Sequence, residues 1–308
     1  MDLRHLRYFV AVAEFGTVSR AAERLNTTQP SLSRQIHDLE NELGIDLFER
    51  VGRRLHLTGA GEEMLDKARR VLNEAEEFRE HARSLGHGEV GVLRVGATPQ
   101  SIERLFPETL QRFSRLKPGV TVRLLEGDSR SLSSRLREGE LHLALTAYQA
   151  EWSDSARILG MAPLLAVARA PLRTEDGRIE LRSLEHEPLL VFQRGFGSRD
   201  LLDAACEMAH IRPPIYLESA SPRTLLELAR AGRGVAIIPA TVAPAEDGLH
   251  CHGLLQDGVV LEMRFAVHWN PKRYFPAYAE LFLEELEKVA RERFSSAPDG
   301  WAIRLVAG

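Results

Sequence analysis

The 308-residue chain has only two cysteines, Cys206 and Cys251, which fits a reducing cytoplasm. No stretch approaches the roughly 18 consecutive apolar residues of a membrane span. The start, Met1-Asp2-Leu3-Arg4-His5-Leu6-Arg7, lacks the apolar core of a secretory leader. A cytoplasmic protein with no membrane partner is therefore expected. A basic surplus is missing too: net charge is −4, so any nucleic-acid role must rest on local patches. Catalytic signatures are also absent. Gly195-Phe196-Gly197 and Gly232-Arg233-Gly234 stop short of a dinucleotide fingerprint, and neither a serine elbow nor a metal-protease helix occurs. No catalytic residue and no cofactor is nominated, and an enzyme is not expected. His250-Cys251-His252 invites a zinc reading, but neighbours on a strand point to opposite faces and no further Cys/His cluster lies near, so no metal is assigned. Nothing in the sequence brings Cys206 to Cys251 for a redox switch, and a lone helical cysteine is usually buried packing. There is no internal repeat or low-complexity segment. What remains is ordinary for a soluble globular chain, 44% apolar and 27% charged, and long enough for two or three domains with their own cores.

The informative stretch is 17–58. Thr17 is placed to cap a short helix whose paired Ala21 and Ala22 permit close helix approach, and Asn26 closes it. Thr28 can cap the next helix, with Pro30 tolerated in its first turn. Leu32, Ile36, Leu39 and Leu43 then define one buried face. Pro30, Ser31, Arg34, His37 and Asp38 are left on the other. Two short helices with a tight turn form a helix-turn-helix, although spacing alone also fits an ordinary helical pair. Gln29, Ser31 and Ser33 offer hydrogen bonds to base edges and phosphates, and Arg34 offers charge or guanine readout. Residues 47–58 read as a hairpin with Gly52 at its turn, whose arginines would lie over the DNA backbone or in the minor groove. Charge agrees locally: 17–37 holds three arginines against one glutamate, and 47–58 again three against one.

Several ordered blocks carry a family resemblance. They are Leu3-Arg4-His5-Leu6-Arg7-Tyr8-Phe9, Ser19-Arg20-Ala21-Ala22-Glu23-Arg24-Leu25, Gln29-Pro30-Ser31-Leu32-Ser33-Arg34-Gln35-Ile36, Leu47-Phe48-Glu49-Arg50 and Leu57-Thr58-Gly59-Ala60-Gly61. Without gaps over 3–65, this resembles the winged helix-turn-helix head of the LysR-type transcriptional regulators, and more weakly the chain follows that family to about residue 293. The resemblance implies a DNA-binding set of Thr28, Gln29, Pro30, Ser31, Ser33, Arg34, Arg50, Arg53 and Arg54, on double-stranded DNA.

After the wing, Thr58 should cap a helix running to about Leu85, stopped by Gly86-His87-Gly88. Met64, Ala68, Val71, Ala75, Phe78, Ala82 and Leu85 recur with four-three spacing, a heptad seam. The seam could pack on the chain's own second domain or pair two chains. The resemblance favours pairing, since it implies a dimeric linker helix and a tetramer made through the bodies.

From Val90 strands alternate with helices, which argues for parallel sheets with right-handed crossovers. Strands are expected at 92–97, 120–125, 141–146, 188–192, 215–218, 235–238 and 259–269, with helices at 102–115, 131–137, 199–210, 223–230 and 276–294. The fold class is thus α/β with an all-α winged helix-turn-helix head, a long linker helix and, by resemblance, two Rossmann-like subdomains of the type 2 periplasmic-binding-protein kind. The expected domains are 1–58 for the head, 59–86 for the linker and 90–293 for the effector-binding body. Within the body, subdomain I would cover about 90–163 and 268–293, and subdomain II about 164–267. The tail, 294–308, departs from the family pattern and reads either as disordered or as a short docking strand. Ligands of open α/β sheets bind at strand C-termini against helix N-termini. Those ends include Thr98, Pro99, Gln100, Ser101, Arg130, Thr146, Tyr148, Phe196, Gly197, Ser198 and Arg199; the resemblance tips Thr98, Ser101, Thr146 and Ser198 toward effector contact, with Phe196 and Tyr148 as apolar walls. The same Ser and Thr positions are also ordinary helix caps. The leading reading is a ligand-responsive transcription factor that binds an interrupted palindrome, senses a small anionic metabolite such as a carboxylate, and works with RNA polymerase. A binding protein whose head serves only protein contacts, and an enzyme with an appended DNA-binding head, are the alternatives.

Overall fold

The computed structural model describes residues 1–51, 54–87, 90–172, 176–242, 248–294 and 304–305; for residues 50, 51, 54, 80, 83–87, 304 and 305 only the backbone is described. The chain divides into two compact units, Met1–Arg83 with Glu138–Glu140, and Ser84–Arg137 with Leu141–Gly308.

In the first unit each helix begins on a side chain that satisfies its free N–H groups. The Asp2 carboxylate accepts from Arg4 and His5 to open α1, Leu3–Phe15, which ends on Gly16 at φ 65. Thr17 accepts from Arg20 to open α2, Val18–Arg24, and Ala21 and Ala22 are buried against α1 and α3. Asn26 takes a left-handed φ of 51. Thr28 accepts from Ser31 at the start of α3, Gln29–Leu43, which ends on Gly44 at φ 69. Strands β1, Phe48–Val51, and β2, Arg54–Leu57, pair antiparallel as the wing; Gly52 and Arg53, the expected turn and wing-tip arginine, lie outside the described residues. Thr58 Oγ1 donates to the Asp46 carbonyl and accepts from the Gly61 N–H, opening α4, Gly59–His87. At 29 residues this helix is about 43 Å long and runs through Gly86 rather than stopping there.

The second unit runs β3 Gly91–Ala97, α5 Pro99–Leu116, β4 Val120–Glu126, α6 Ser129–Arg137, β5 Leu143–Ala147, β6 Ala156–Ala168, β7 Arg178–Glu180, β8 Leu189–Phe192, α7 Gly197–Met208, β9 Ile215–Ser219, α8 Pro222–Arg230, β10 Val235–Pro239, β11 His250–Gln256, β12 Val259–Val260, β13 Glu262–His268, α9 Ala277–Phe294 and β14 Arg304–Leu305. The sheet order is β4-β3-β5-β13-β6-β10-β8-β9. β4, β3 and β5 are parallel, as are β10, β8 and β9, which makes two α/β lobes. β6 belongs to both: Ala156 to Pro163 pair with β13, and Leu164 to Ala168 pair with β10 and β11.

Two expectations change here. The strand expected at 259–269 is broken at Leu261, where the Leu164 N–H donates to the Leu261 carbonyl. The chain therefore returns to the first lobe at Leu261/Glu262, ahead of the boundary read at 267/268, because β13 already pairs with β5 from Phe265 onward. β6 itself, the longest strand, has no counterpart among the expected ones. The tail contributes β14, paired with β6 at Met161 and Gly160. One apolar cluster runs through both lobes, from Leu93 and Phe113 to Phe192, Leu225 and Ile238.

Candidate nucleic-acid interface and effector cleft

In the head, Leu32, Ile36 and Leu39 are buried while Thr28, Gln29, Pro30, Ser31, Ser33 and Arg34 are exposed. The first turn of α3 thus presents a continuous polar edge with one guanidinium, on a helix whose opposite face is fixed by α1 and α2. Along α4 the expected seam divides. Ala68 is buried and Met64 half-buried in the head's own core, beside Leu65 and Leu72, because the first turns of α4 close that core. Farther along, Val71 is 47% and Phe78 77% exposed. Ala75 is half-buried and Ala82 exposed; the Leu85 side chain lies outside the described residues.

In the body, the loops after β3, β5 and β8 meet where the lobes face each other. An open cleft of about 670 Å³ is lined by Ser129, Arg130, Ser133, Arg137, Tyr148, Gln149, Gly195, Gly197, Met263 and Arg264, among others. Next to it lies an inner cavity of about 30 Å³ walled by Thr98, Gln100, Ser101, Ser129, Thr146, Gly197 and Met263. Pro99, the first residue of α5, is buried. Thr98 Oγ1 lies 3.0 Å from Ser101 Oγ, and Thr146 Oγ1 donates to the Ala147 carbonyl.

Helix starts differ here from those of most other helices. α1, α2, α3, α4 and α8 begin on capping side chains, and the Asp128 carboxylate accepts from the Arg130 and Ser131 N–H groups at α6. At α5 and α7 the N-cap residues are Thr98 and Phe196, and neither makes a side-chain cap bond. Close by, Ser129 Oγ, Ser198 Oγ and Gln100 Oε1 are buried without a hydrogen-bond partner. Unpaired buried polar atoms are costly, so their gathering beside two uncapped helix N-termini marks a place suited to a polar group from outside.

Two of the expected effector contacts are corrected. Arg199 is 2% exposed, and its guanidinium is occupied by Asp203 at 2.7 Å, Glu218 at 2.8 Å and the Phe192 carbonyl at 2.9 Å. It braces α7 against β8 and β9. Phe196 is buried in the shared core, stacked on Phe192 with ring centroids 5.2 Å apart. It anchors the loop and is not a cleft wall. Tyr148 does reach the cleft, with the Arg264 guanidinium carbon 5.9 Å from its ring centroid. Arg130 is exposed at the rim. Met263 and Arg264 line the cleft although nothing in their local sequence points there; the crossing of β13 brings them in.

Residues 3–62 match the bacterial regulatory helix-turn-helix proteins of the lysR family, and residues 86–291 match the LysR substrate binding domain. The chain belongs to the LysR family of transcriptional regulators. It is 36% identical over 247 residues to the uncharacterized HTH-type transcriptional regulator YnfL of Escherichia coli K12, covering 78% of this chain and 83% of that one. It is 32% identical to the HTH-type transcriptional regulator ClcR of Pseudomonas putida, covering 79% and 84%. Among solved structures, full-length CbnR complexed with its target DNA is similar at a TM-score of 0.66 and 27% identity, over 94% of this chain and 100% of that one. The helix-turn-helix head and the two-lobed body are thus those of a LysR-type DNA-binding transcriptional regulator with an effector-binding domain.

The remaining candidate groups of this LysR-type regulator are quiet. Among the described residues no three His, Cys, Asp or Glu gather as a metal site, and no helix is long and apolar enough to cross a membrane. Burial, with Asp203 adding to it, pushes the Cys206 thiol up to about 11, and burial raises Cys251 as well. Burial thus disfavours the thiolate at both. His268 is 1% exposed, with Nε2 donating to the Ala147 carbonyl at 3.3 Å and Nδ1 unpartnered. Burial lowers its pKa from 6.5 to about 4. Between those values the unfolded chain binds a proton that the folded chain refuses, so stability is lost as pH falls below 6.5 and the loss levels off below 4. His268 should therefore cost the body about 2 kcal/mol between pH 7 and pH 5. Urea unfolding of the parent and His268→Gln at both pH values checks this: the variant should lose less, and equal losses would refute the assignment.

Proposed function

We propose that this regulator binds an interrupted palindrome of double-stranded DNA as a dimer or tetramer, in the bacterial cytoplasm, and responds to a small anionic metabolite, a carboxylate. The sensing half rests on one observation: α5 and α7, one from each lobe, start uncapped beside three buried unpartnered polar atoms. Helix N-termini favour negative charge, and a carboxylate supplies acceptors for N–H and hydroxyl donors together. Thr98, Gln100, Ser101, Thr146, Gly197 and Ser198 would hold its head, and Tyr148 its body. Binding can shift the regulator only through differential affinity for two arrangements of the lobes, typically about 1–3 kcal/mol of coupling.

On the DNA side, the exposed first turn of α3 supplies Gln29, Pro30, Ser33 and Arg34 for base readout, with Thr28 and Ser31 at the backbone and Arg50, Arg53 and Arg54 on the wing. That CbnR was solved with its target DNA supports the same use of this head. Val71, Phe78 and Ala82 are the exposed part of the α4 seam, and two such helices together would place two heads on two half-sites. In this reading the head is 1–58, the linker 59–86, the effector body 90–293 and the tail 294–308. Contact with RNA polymerase follows from a regulator's role and has no residue assigned.

Three outcomes are expected. Arg34→Ala should lower operator affinity by about 1–3 kcal/mol and relax specificity at one base pair. Arg53→Ala should instead weaken all sequences alike and reduce the salt slope by about one; anisotropy titrations across a salt series decide, and two unaffected variants would refute the interface. Val71→Asp should separate the chains and weaken operator binding, because an unpaired charge in a buried seam costs several kcal/mol. Light scattering at parental mass would mean the seam does not pair chains. For the cleft, calorimetry with carboxylates suggested by the genes beside the operator should find Ser198→Ala binding weaker than the parent. Equal affinity, or a cationic effector, would place the site elsewhere.

A further inference from the structure

The inner cavity and the outer cleft share part of their lining: Ser129, Ala147, Gly197 and Met263 face both. These residues form the partition between them. Gly197 and Ala147 have no side-chain torsion that could open it, and in Ser129 rotation moves a single oxygen. Their backbones are also pressed together, since a Cβ on Gly197 would lie 2.2 Å from that of Ala147. Met263 differs. Its Cε lies 3.5 Å from the same Gly197 position, and an unbranched thioether with several rotatable bonds can swing without moving the strand that carries it. That strand is fixed, with Met263 paired to Ala162 in β6.

Size completes the argument. The inner cavity of about 30 Å³ has room for about two water-sized groups, which are the two oxygens of a carboxylate and little more. The outer cleft, at about 670 Å³, has room for the rest of a metabolite. Resting on the anion reading above, we propose that Met263 is the gate of the effector site and sets its selectivity. The carboxylate head passes Met263 into the inner cavity between α5 and α7, while the body stays outside against Tyr148 and Arg264. The neck at Met263 then admits acids that are slender at the carbon next to the carboxylate and excludes those branched there.

Butyrate and pivalate, both monocarboxylates, differ at that carbon. Titrating the full-length protein with each by NMR, following the Gly197 and Ser198 amides, should give the parent at least a roughly tenfold preference for butyrate, the scale on which pockets discriminate single methyl groups. Met263→Ala should bring the ratio of the two affinities close to one. Met263→Leu, which keeps the volume of the side chain and guards against a folding defect, should keep the preference. Ser198→Ala should weaken both acids without changing their ratio. An unchanged ratio in Met263→Ala, with Ser198→Ala weakened, overturns the gate and leaves the anion site standing. Failure of both acids to perturb those amides in the parent and in Met263→Ala alike overturns the anion site and the gate with it.

Discussion

β6 takes part in two hydrogen-bonded sheets along one unbroken run of 13 residues. From Ala156 to Pro163 its partner is β13, and from Leu164 to Ala168 its partners are β10 and β11. The lobes share this strand: it borders β13 in the first and lies between β10 and β11 in the second. Leu164, Leu165, Ala166 and Val167 are all fully buried, and each large aliphatic side chain among them contributes about 1.5–3 kcal/mol. Pro163 falls at the passage between sheets, where a residue without an N–H leaves no ladder bond unmade. β13 returns beside it, so the two strands cross as a pair. Any motion of one lobe on the other bends these strands, and the cleft residues Met263 and Arg264 sit directly on them.

The distribution of helix caps differs between the head and the cleft. Helices of the head are closed at their starts by Asp2, Thr17, Thr28 and Thr58, and such caps contribute about 1 kcal/mol each. At the cleft the same chemistry is withheld from α5 and α7, while α6 carries its own counter-charge in Asp128. These two helices go without the roughly 1 kcal/mol that a capping side chain brings. The shared apolar cluster beneath the cleft, with Phe192 and Phe196 stacked inside it, offsets that loss.

The head was legible because its signals are local. Caps, left-handed closures at Gly16 and Gly44, and four-three apolar spacing all act within a few residues. Body helices were legible for the same reason, although α5 and α7 start two or three residues ahead of the bounds expected for them. β6 was not legible: Leu159 to Ala168 is almost continuously apolar, has no alternation, and carries a proline that argues against a central strand. Its identity depends on partners about 70–110 residues away in sequence, which no local rule reaches. The cleft was legible in part. Thr98 and Thr146, read from the rule that ligands meet strand ends, line the inner cavity, whereas Ser198 lines neither space, and Arg199 looks identical in sequence whether it faces a ligand or braces Asp203 and Glu218. Met263 became visible only when the crossing of β13 was known.

The near-contact between Gly197 and Ala147 also bears on how such a protein can diverge. Two positions fifty residues apart in the chain occupy what is nearly a single volume, with 2.2 Å between the Ala147 methyl and the place a methyl on Gly197 would take. A lineage that gains a side chain at one of them must shed one at the other or hold its lobes farther apart. The summed bulk of the pair thus acts as a spacer between the two chain segments, so a change at one position sets what the other can hold.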